Sequence, residues 1–326
     1  MANGAPMNRL AYPYQFDKEI AKMTYGKYAD YPKEFTSIAK VENFPAGLTY
    51  TEAEISSLGQ LSAMTEGDAI TYDVPVEGHK KSIKTVKFGK GFQRTEEMSA
   101  DELFGMSKKM SDSLSRAAAV CAETNFWNLF NNGFTSVLAW DGQYVFDTDH
   151  TTLKSGTTIN NKATADLSTT SLEAAFEYFD GLVDEAGIKI MCRPNKLVIP
   201  TKLKWVANDL LKATGRVWDY TSRAGGYYTV GSGDSVAPTN GPLMNGLNPS
   251  SGIVDSWSIF ASHYLTDDDA WFLLSDQHDF RFFWKKKPTM SSTTDFDTDN
   301  ELYKLTMRFA VAVFDYKGAY GSTGAG

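Results

Sequence analysis

Cysteine is nearly absent from this chain: Cys121 and Cys192 are the only two in 326 residues, and they form no CxxC pair. That excludes a disulfide framework and a thiolate zinc site, and suits a reducing compartment. Long hydrophobic runs are missing as well. No stretch reaches the ~18 uninterrupted apolar residues of a membrane-crossing helix, and Met1–Leu10 lacks the basic-then-apolar layout of a signal peptide. A soluble product made inside a cell is the expectation. Nor is there an excess of positive charge: 32 Lys and Arg face 40 Asp and Glu, a net charge of −8. A dedicated nucleic-acid binder needs a basic footprint to displace counterions from phosphates. That class is excluded, though a protein that merely surrounds nucleic acid is not.

Catalytic motifs are also lacking. There is no GxSxG elbow, Walker loop, GxGxxG or HExxH. Asp147, Asp149 and His150 are close enough in sequence to suggest a metal-dependent hydrolase, but strand alternation puts His150 opposite the two aspartates. Asp295, Asp297, Asp299 and Glu301 alternate like the start of a calcium loop. Asn300 then stands where the turn needs Gly, and Thr306 where a bidentate Glu belongs. Cys121 falls on an apolar helix face, the place of a core thiol. No catalytic, cofactor-binding or metal-binding residue is assigned, and no cofactor is expected.

What is present is material for a core, with 42% apolar and 13% aromatic residues. The first sixty residues show no sustained period, and their scattered tyrosines read as an extended arm with a short helix near Phe16–Met23. Ile70, Tyr72, Val74 and Val76 alternate with polar residues, and a return strand follows Gly78-His79 through Ile83 to Phe88. This predicts a long hairpin with Pro75 at an edge. Ser99-Ala100-Asp101-Glu102 matches a capping box ahead of a long helix to Leu129, with Leu103, Met106, Met110, Leu114, Ala117, Ala118 and Cys121 on its apolar face.

Further on, Trp140–Gln143 reads as a hairpin with a type I′ turn, Thr151–Thr170 as a loop, and Thr170 to Gly187 as a second capped helix. Lys196–Pro200 is a short buried strand. It precedes a helix over Lys202–Ala213, with Leu203, Val206, Leu210 and Leu211 inside, and a long exposed loop over Gly215–Ser251. Strands are expected at Ile253–Phe260, Ala270–Leu274, Phe280–Trp284 and Lys304–Val313, then a Gly-rich tail. One charge pattern stands out. Lys80, Lys81, Lys84, Lys87, Lys90 and Arg94 have no acidic residue among them. They are candidates for contact with an acidic neighbouring subunit, where complementary charge fixes register.

The order of parts resembles the tailed-phage major capsid proteins of the Hong Kong 97-type fold. So do Asn195–Pro200 with the helix to Leu211 and Gly215–Trp218, Val254-Asp255 through Ser275-Asp276, and Arg308–Val313 through Tyr320. Asp141-Gly142 followed by Phe146 and His150 is similar to the Mu-like major head subunit branch. The resemblance implies an α+β fold: an N-terminal arm (1–60), an extended β-hairpin loop (61–98), a peripheral domain (99–186) with a spine helix at 100–132, an axial domain (187–288), and a return strand with tail (289–326).

It further implies a non-enzymatic head subunit that assembles with itself, as hexamers and pentamers, into an icosahedral shell. Such a shell encloses double-stranded DNA without sequence-specific binding and forms in the host bacterial cytoplasm, with separate scaffolding, portal and decoration proteins and no membrane. No residue set matches the lysine–asparagine crosslink of part of that family. An encapsulin-like compartment enclosing enzyme cargo is the alternative with the same fold.

Overall fold

The structure, a computed structural model, describes residues 24, 26–95, 97–98, 105–212, 215–216, 243–244, 258–295 and 297–324. The expected helix at Phe16–Met23, the capping box at Ser99–Glu102, most of the loop 215–251 and the start of the strand at Ile253 lie outside them. The chain divides into two compact units. Residues 1–56, 74–145 and 279–315 form the first, and 57–73, 146–278 and 316–326 the second. The chain passes between them at 56/57, 73/74, 145/146, 278/279 and 315/316.

The first unit is built on a long antiparallel pair, β13 (Phe280–Thr294) and β14 (Glu301–Val313), whose register runs from Phe280↔Val313 to Thr294↔Glu301. The ladder slips between Trp284 and Thr289, around Pro288, which has no N–H to donate. β1 (Lys40–Asn43) lies parallel to β13, and β4 (Val86–Arg94) antiparallel to β14, giving the order β1-β13-β14-β4. Leu305, Met307, Phe309 and Val313 of β14 are buried, as their alternation predicts, but Val311 is only half-buried while Ala310 and Ala312 are buried. Aromatic stacks close the core, among them Phe130 on Phe280 at 4.4 Å and Phe35 on Phe282 at 4.5 Å.

The long hairpin does not form as expected. Residues 70–76 are not a strand. β3 is Glu77–Lys84, running straight through Gly78-His79, and it pairs with β2 (Thr49–Ile55) from the supposed arm. Only Thr85 separates β3 from β4, and one residue cannot reverse a chain where even the tightest hairpin uses two. Each strand therefore finds a distant partner. With β1 and β2 in sheets and Phe35 buried, the described part of residues 1–60 is largely integrated into the unit.

The spine helix α1 spans Met106–Asn131, about 39 Å at 1.5 Å per residue. Its buried face is rotated from the expected one. Met106 and Met110 are exposed, while Ser107, Ser111 and Ser115 are buried beside Leu114 and Ala118. The hydroxyls tolerate burial because each is hydrogen-bonded: Arg94 Nη1 donates to Ser107 Oγ (2.5 Å), Thr24 and Ser111 share a bond, and Ser115 donates to the Thr24 carbonyl (2.9 Å). At 139–143 the turn is not type I′, which needs positive φ at both central residues. Only Gly142 has it (φ 81°), so Trp140–Gly142 forms a three-residue loop closed by Ala139 N–H donating to Gln143 O (2.8 Å).

The second unit holds a five-stranded sheet in the order β11-β8-β12-β15-β7. Its strands are β7 (Lys162–Ala163), β8 (Pro194–Pro200), β11 (Ser258–Ser262), β12 (Trp271–Ser275) and β15 (Ala319–Ser322). Every residue of β12 is buried, as a continuous apolar run implies. The stretch 151–170 is not all loop, since β5 (His150–Thr151) pairs with β6 (Thr158–Ile159) ahead of β7. Helix α2 (Thr169–Gly181) is capped by Ser168 and Ser171, not by Thr170 and Glu173. It ends six residues before Gly187, which instead takes φ 84° in the turn that follows. Helix α3 (Lys204–Lys212) buries Ala207 and Leu211 but leaves Trp205 and Val206 exposed, against the expectation for Val206.

The glycine-rich end is core rather than tail. A Cβ on Gly321 would meet the Phe146 ring at 2.8 Å, and one on Gly318 would lie 2.7 Å from the carbonyl carbon of Gln277. The obstacle at Gly318 is backbone and cannot swing aside. Gly318→Ala is expected to destabilise the protein by about 3 kcal/mol, the upper part of the range for overpacking; a melting temperature equal to that of the unaltered protein would refute the close approach.

Candidate subunit interface

The site with most to offer a partner begins at β2 and β3 in the first unit. Tyr50 packs edge-on to Phe44 and Phe314, and Ile83 is buried in the same cluster. Arg281 of β13 pairs with Glu52 (2.8 Å) and with Asp279 (2.9 Å), tying β2 to the long hairpin. Glu54 meets His79 at 3.0 Å across the pair, and Ser56 Oγ accepts the Val76 N–H (2.8 Å). Root residues are thus held by both core and charge.

The segment joining β2 to β3 is the opposite. Leu58, Leu61, Met64, Ile70, Tyr72, Val74 and Val76 are all exposed, Leu61 at 96% and Tyr72 at 90%. In the second unit's share of this segment, Asp73 is held by Lys154 (2.6 Å) and Ser57 by Asp184 (2.5 Å). Scattered surface hydrophobics need no explanation, but a run this dense marks an interaction surface. Its exposed charges, Glu66, Asp68 and Asp73, are acidic, and the segment contains no Lys or Arg.

The six basic candidates do not lie on one hairpin; they divide between β3 and β4, which belong to different sheets. Two are used inside the first unit. Lys81 donates to Val313 O (2.6 Å) and to Leu138 O, and burial pushes its ammonium down to about 8 against the pull of Asp141 and Asp279. Arg94 is buried and pairs with Glu301 through Nε at 3.0 Å. Lys80 meets Glu77 of its own strand at 2.8 Å. Lys84, Lys87 and Lys90 are exposed.

Beside Lys90, α1 and strands β4 and β14 leave an apolar groove of about 300 Å³ lined by Phe88, Gly89, Leu114, Ala117, Cys121 and Met307. Ala117 borders the groove with only a methyl group and Gly89 with backbone, since a Cβ at Gly89 would meet Thr306 instead. Sequence reasoning missed it, since a groove is made of what three distant segments fail to occupy. Cys121 is half-buried and burial pushes its thiol up. In the second unit His150 stacks on Tyr316 at 3.8 Å, a packing role, and among the described residues no three His, Cys, Asp or Glu side chains gather as metal ligands.

Comparison with known proteins narrows the meaning of this architecture. The chain resembles the capsid of a native GTA particle, with a TM-score of 0.54 at 11% identity over 90% of each chain. It resembles the capsid of cyanophage P-SCSP1u at 0.51, with 13% identity over 88% of this chain and 86% of that one. A virus-like particle from Pyrococcus furiosus matches at 0.50, with 7% identity over 94% and 98%. These likenesses establish the Hong Kong 97-type α+β fold.

Sequence separates the possibilities. The Mu-like prophage FluMu major head subunit of Haemophilus influenzae (strain ATCC 51907 / DSM 11121 / KW20 / Rd) is 30% identical over 120 residues. That alignment covers 36% of this chain and 37% of that protein, so the chain matches little more than a third of this relative's length. A family model described as phage capsid protein matches residues 80–322, well over half the chain, from β3 through β15. By that match the chain belongs to the phage capsid protein family, which makes it a structural protein of a capsid rather than an enzyme.

Proposed function

We propose that this protein is the repeating subunit of an icosahedral phage head and that it assembles with itself, as hexamers and pentamers, around double-stranded DNA. In this reading the first unit is the peripheral domain and the second the axial domain. Scaffolding, portal and decoration proteins are separate chains, and assembly takes place in the bacterial cytoplasm. A net charge of −8 suits a lining that encloses a polyanion without gripping it.

The observation that carries the proposal is the exposed apolar run between Leu58 and Val76, which one copy leaves uncovered. Its occupant is a second copy of this chain, seated at the groove beside α1. Both surfaces are apolar and their charges are complementary, Glu66 and Asp68 on the segment against Lys87 and Lys90 on β4. Closed symmetry would repeat the contact around every ring. Of the six basic candidates, Lys84, Lys87 and Lys90 keep the subunit-contact role.

The experiment uses the native thiol in the groove. Particles assembled from a Leu61→Cys variant and oxidised near pH 8.5 are expected to give a ladder of covalent oligomers on a denaturing gel, and adding Cys121→Ser should abolish it. Particles without a ladder would remove the groove as receiver while leaving the shell. No particles by sedimentation and negative-stain microscopy, at any ionic strength tried, would overturn the shell itself.

A further inference from the structure

Every fourth residue of α1 from Ser107 to Trp127 is buried, in the row Ser107, Ser111, Ser115, Ala119, Glu123, Trp127. A row of that spacing is a ridge that winds slowly around the helix, and here the N-terminal segment follows it. Thr24 is pegged to Ser111 (2.5 Å) and Ser115 (2.9 Å). Twelve residues along the helix from Ser111, Glu123 Oε2 accepts the Phe35 N–H (3.1 Å) and the Trp127 Nε1–H (3.0 Å). Phe35 opens directly into the 3-10 turn Glu34–Ser37, and its ring is buried against Phe126 and Phe282.

Glu123 is 1% exposed, and among the described residues no cation forms an ion pair with it. The groups facing it are Tyr28 from the helical residues 26–30, Lys33 and Glu34 from the segment, and Trp127 from its own helix. Lys33 lies over the Tyr28 ring at 4.3 Å instead of pairing with the carboxylate. A carboxylate buried with N–H donors but no cation is a weak place to hold a full charge.

We propose that residues 33–39 are a strap that closes on the spine helix with uptake of a proton at Glu123, so that the subunit carries a pH-sensitive latch for its N-terminal segment. With the strap lifted, Glu123 faces water and titrates at its ordinary 4.5. With the strap down, burial pushes it up to about 7, the Glu34 carboxylate adding to the rise and the N–H donors of Trp127, Phe35 and Glu34 opposing it.

Linkage then fixes the sign. The closed form binds more protons between those two values, so closure is favoured at acid pH and weakens as pH rises to about 7. Above that both forms are ionised and the dependence flattens. Between pH 5.5 and 8.5 the closing equilibrium is expected to fall by about 30-fold. Tyr28, held up near 12 by burial and by Glu123, stays neutral across that window and does not contribute. The latch stands independently of the shell reading, because every group in it belongs to one copy.

The test is amide hydrogen exchange by mass spectrometry on the full-length unassembled protein, corrected for intrinsic exchange rates. Protection of residues 33–39 should drop by about 30-fold from pH 5.5 to 8.5, with the change centred on the acid side of neutral, while β12 stays constant. Glu123→Gln keeps an acceptor for the Phe35 N–H but cannot titrate, and should be protected equally at both pH values. Two outcomes overturn the proposal: pH-independent protection of 33–39 in the unaltered protein, or an undiminished pH dependence in Glu123→Gln. If that variant does not fold, the first comparison decides alone.

Discussion

Replacing Lys317 with methionine is expected to destabilise the second unit by about 3–5 kcal/mol, the cost of breaking a buried ion pair from one side. Lys317 and Glu185 are both under a tenth exposed, and they pair directly. The pair sits at a junction of loops. Glu185 accepts the Leu153 N–H with its side chain and the Lys154 and Ser155 N–H groups with its carbonyl (3.2 and 3.1 Å). Lys317 stands beside the Tyr316 ring and one residue before Gly318, which enters the sheet.

Methionine matches the lysine stem in volume, so little packing is lost and the main effect is a carboxylate left in the interior without its cation. The second half of the argument makes the prediction sharp. Removing both charges, as in Lys317→Met with Glu185→Leu, should recover most of the loss, because a buried pair contributes little beyond its hydrophobic replacement. Chemical denaturation of the three proteins checks this. A single substitution without effect would mean that solvent reaches Glu185 after all.

Leu114→Asp is expected to cost about 4 kcal/mol. Leu114 is buried midway along α1 and forms part of the groove wall with Phe88 and Met307. Losing its apolar burial accounts for about 2 kcal/mol. Placing a carboxyl among apolar neighbours without a partner adds about 1–3 kcal/mol. The sign of the pH dependence follows, since desolvation holds the new carboxyl above the ordinary Asp range. Lowering the pH toward 4 should therefore narrow the gap to the unaltered protein. Thermal melts at pH 4.5 and 7.5 measure it. A variant as stable as the original at both values would show that the groove wall is solvent-exposed surface. Because the same wall is the proposed seat for the next subunit, the folded fraction should also fail to form shells.

The groove shows how far the site could be read in advance. Leu114, Ala117 and Cys121 are legible on one helix face, since their spacing is local. Phe88 and Met307 come from β4 and β14, whose pairing sets Met307 opposite Phe88, and nothing near either residue announces the other. The apolar run Ile70–Val76 is visible too, but its alternation predicts a half-buried strand that does not form. Alternation records side chains able to pack on a sheet; it does not supply the sheet.

By itself the sequence determined the parts whose forces are local. That a helix forms at the spine and strands at β8 and β14 follows from short-range periodicity, while the order of the parts carries the resemblance to the capsid family. Only the tertiary structure decided which strand pairs with which. Backbone hydrogen bonds are nearly blind to residue type, so Ile83–Phe88 could be read as strand without revealing that β3 runs on through Gly78-His79 to pair with β2 while β4 pairs with β14.

Burial of polar and small residues was decided the same way. Ser111 and Glu123 face inward because Thr24 and Phe35 bring them partners from far along the chain, and Gly318 and Gly321 are core because His278 and Phe146 press against them. Lys81 and Lys87 look alike in sequence. One is spent on carbonyls at positions 138 and 313 and the other is left exposed, a difference made by atoms that only folding brings within reach.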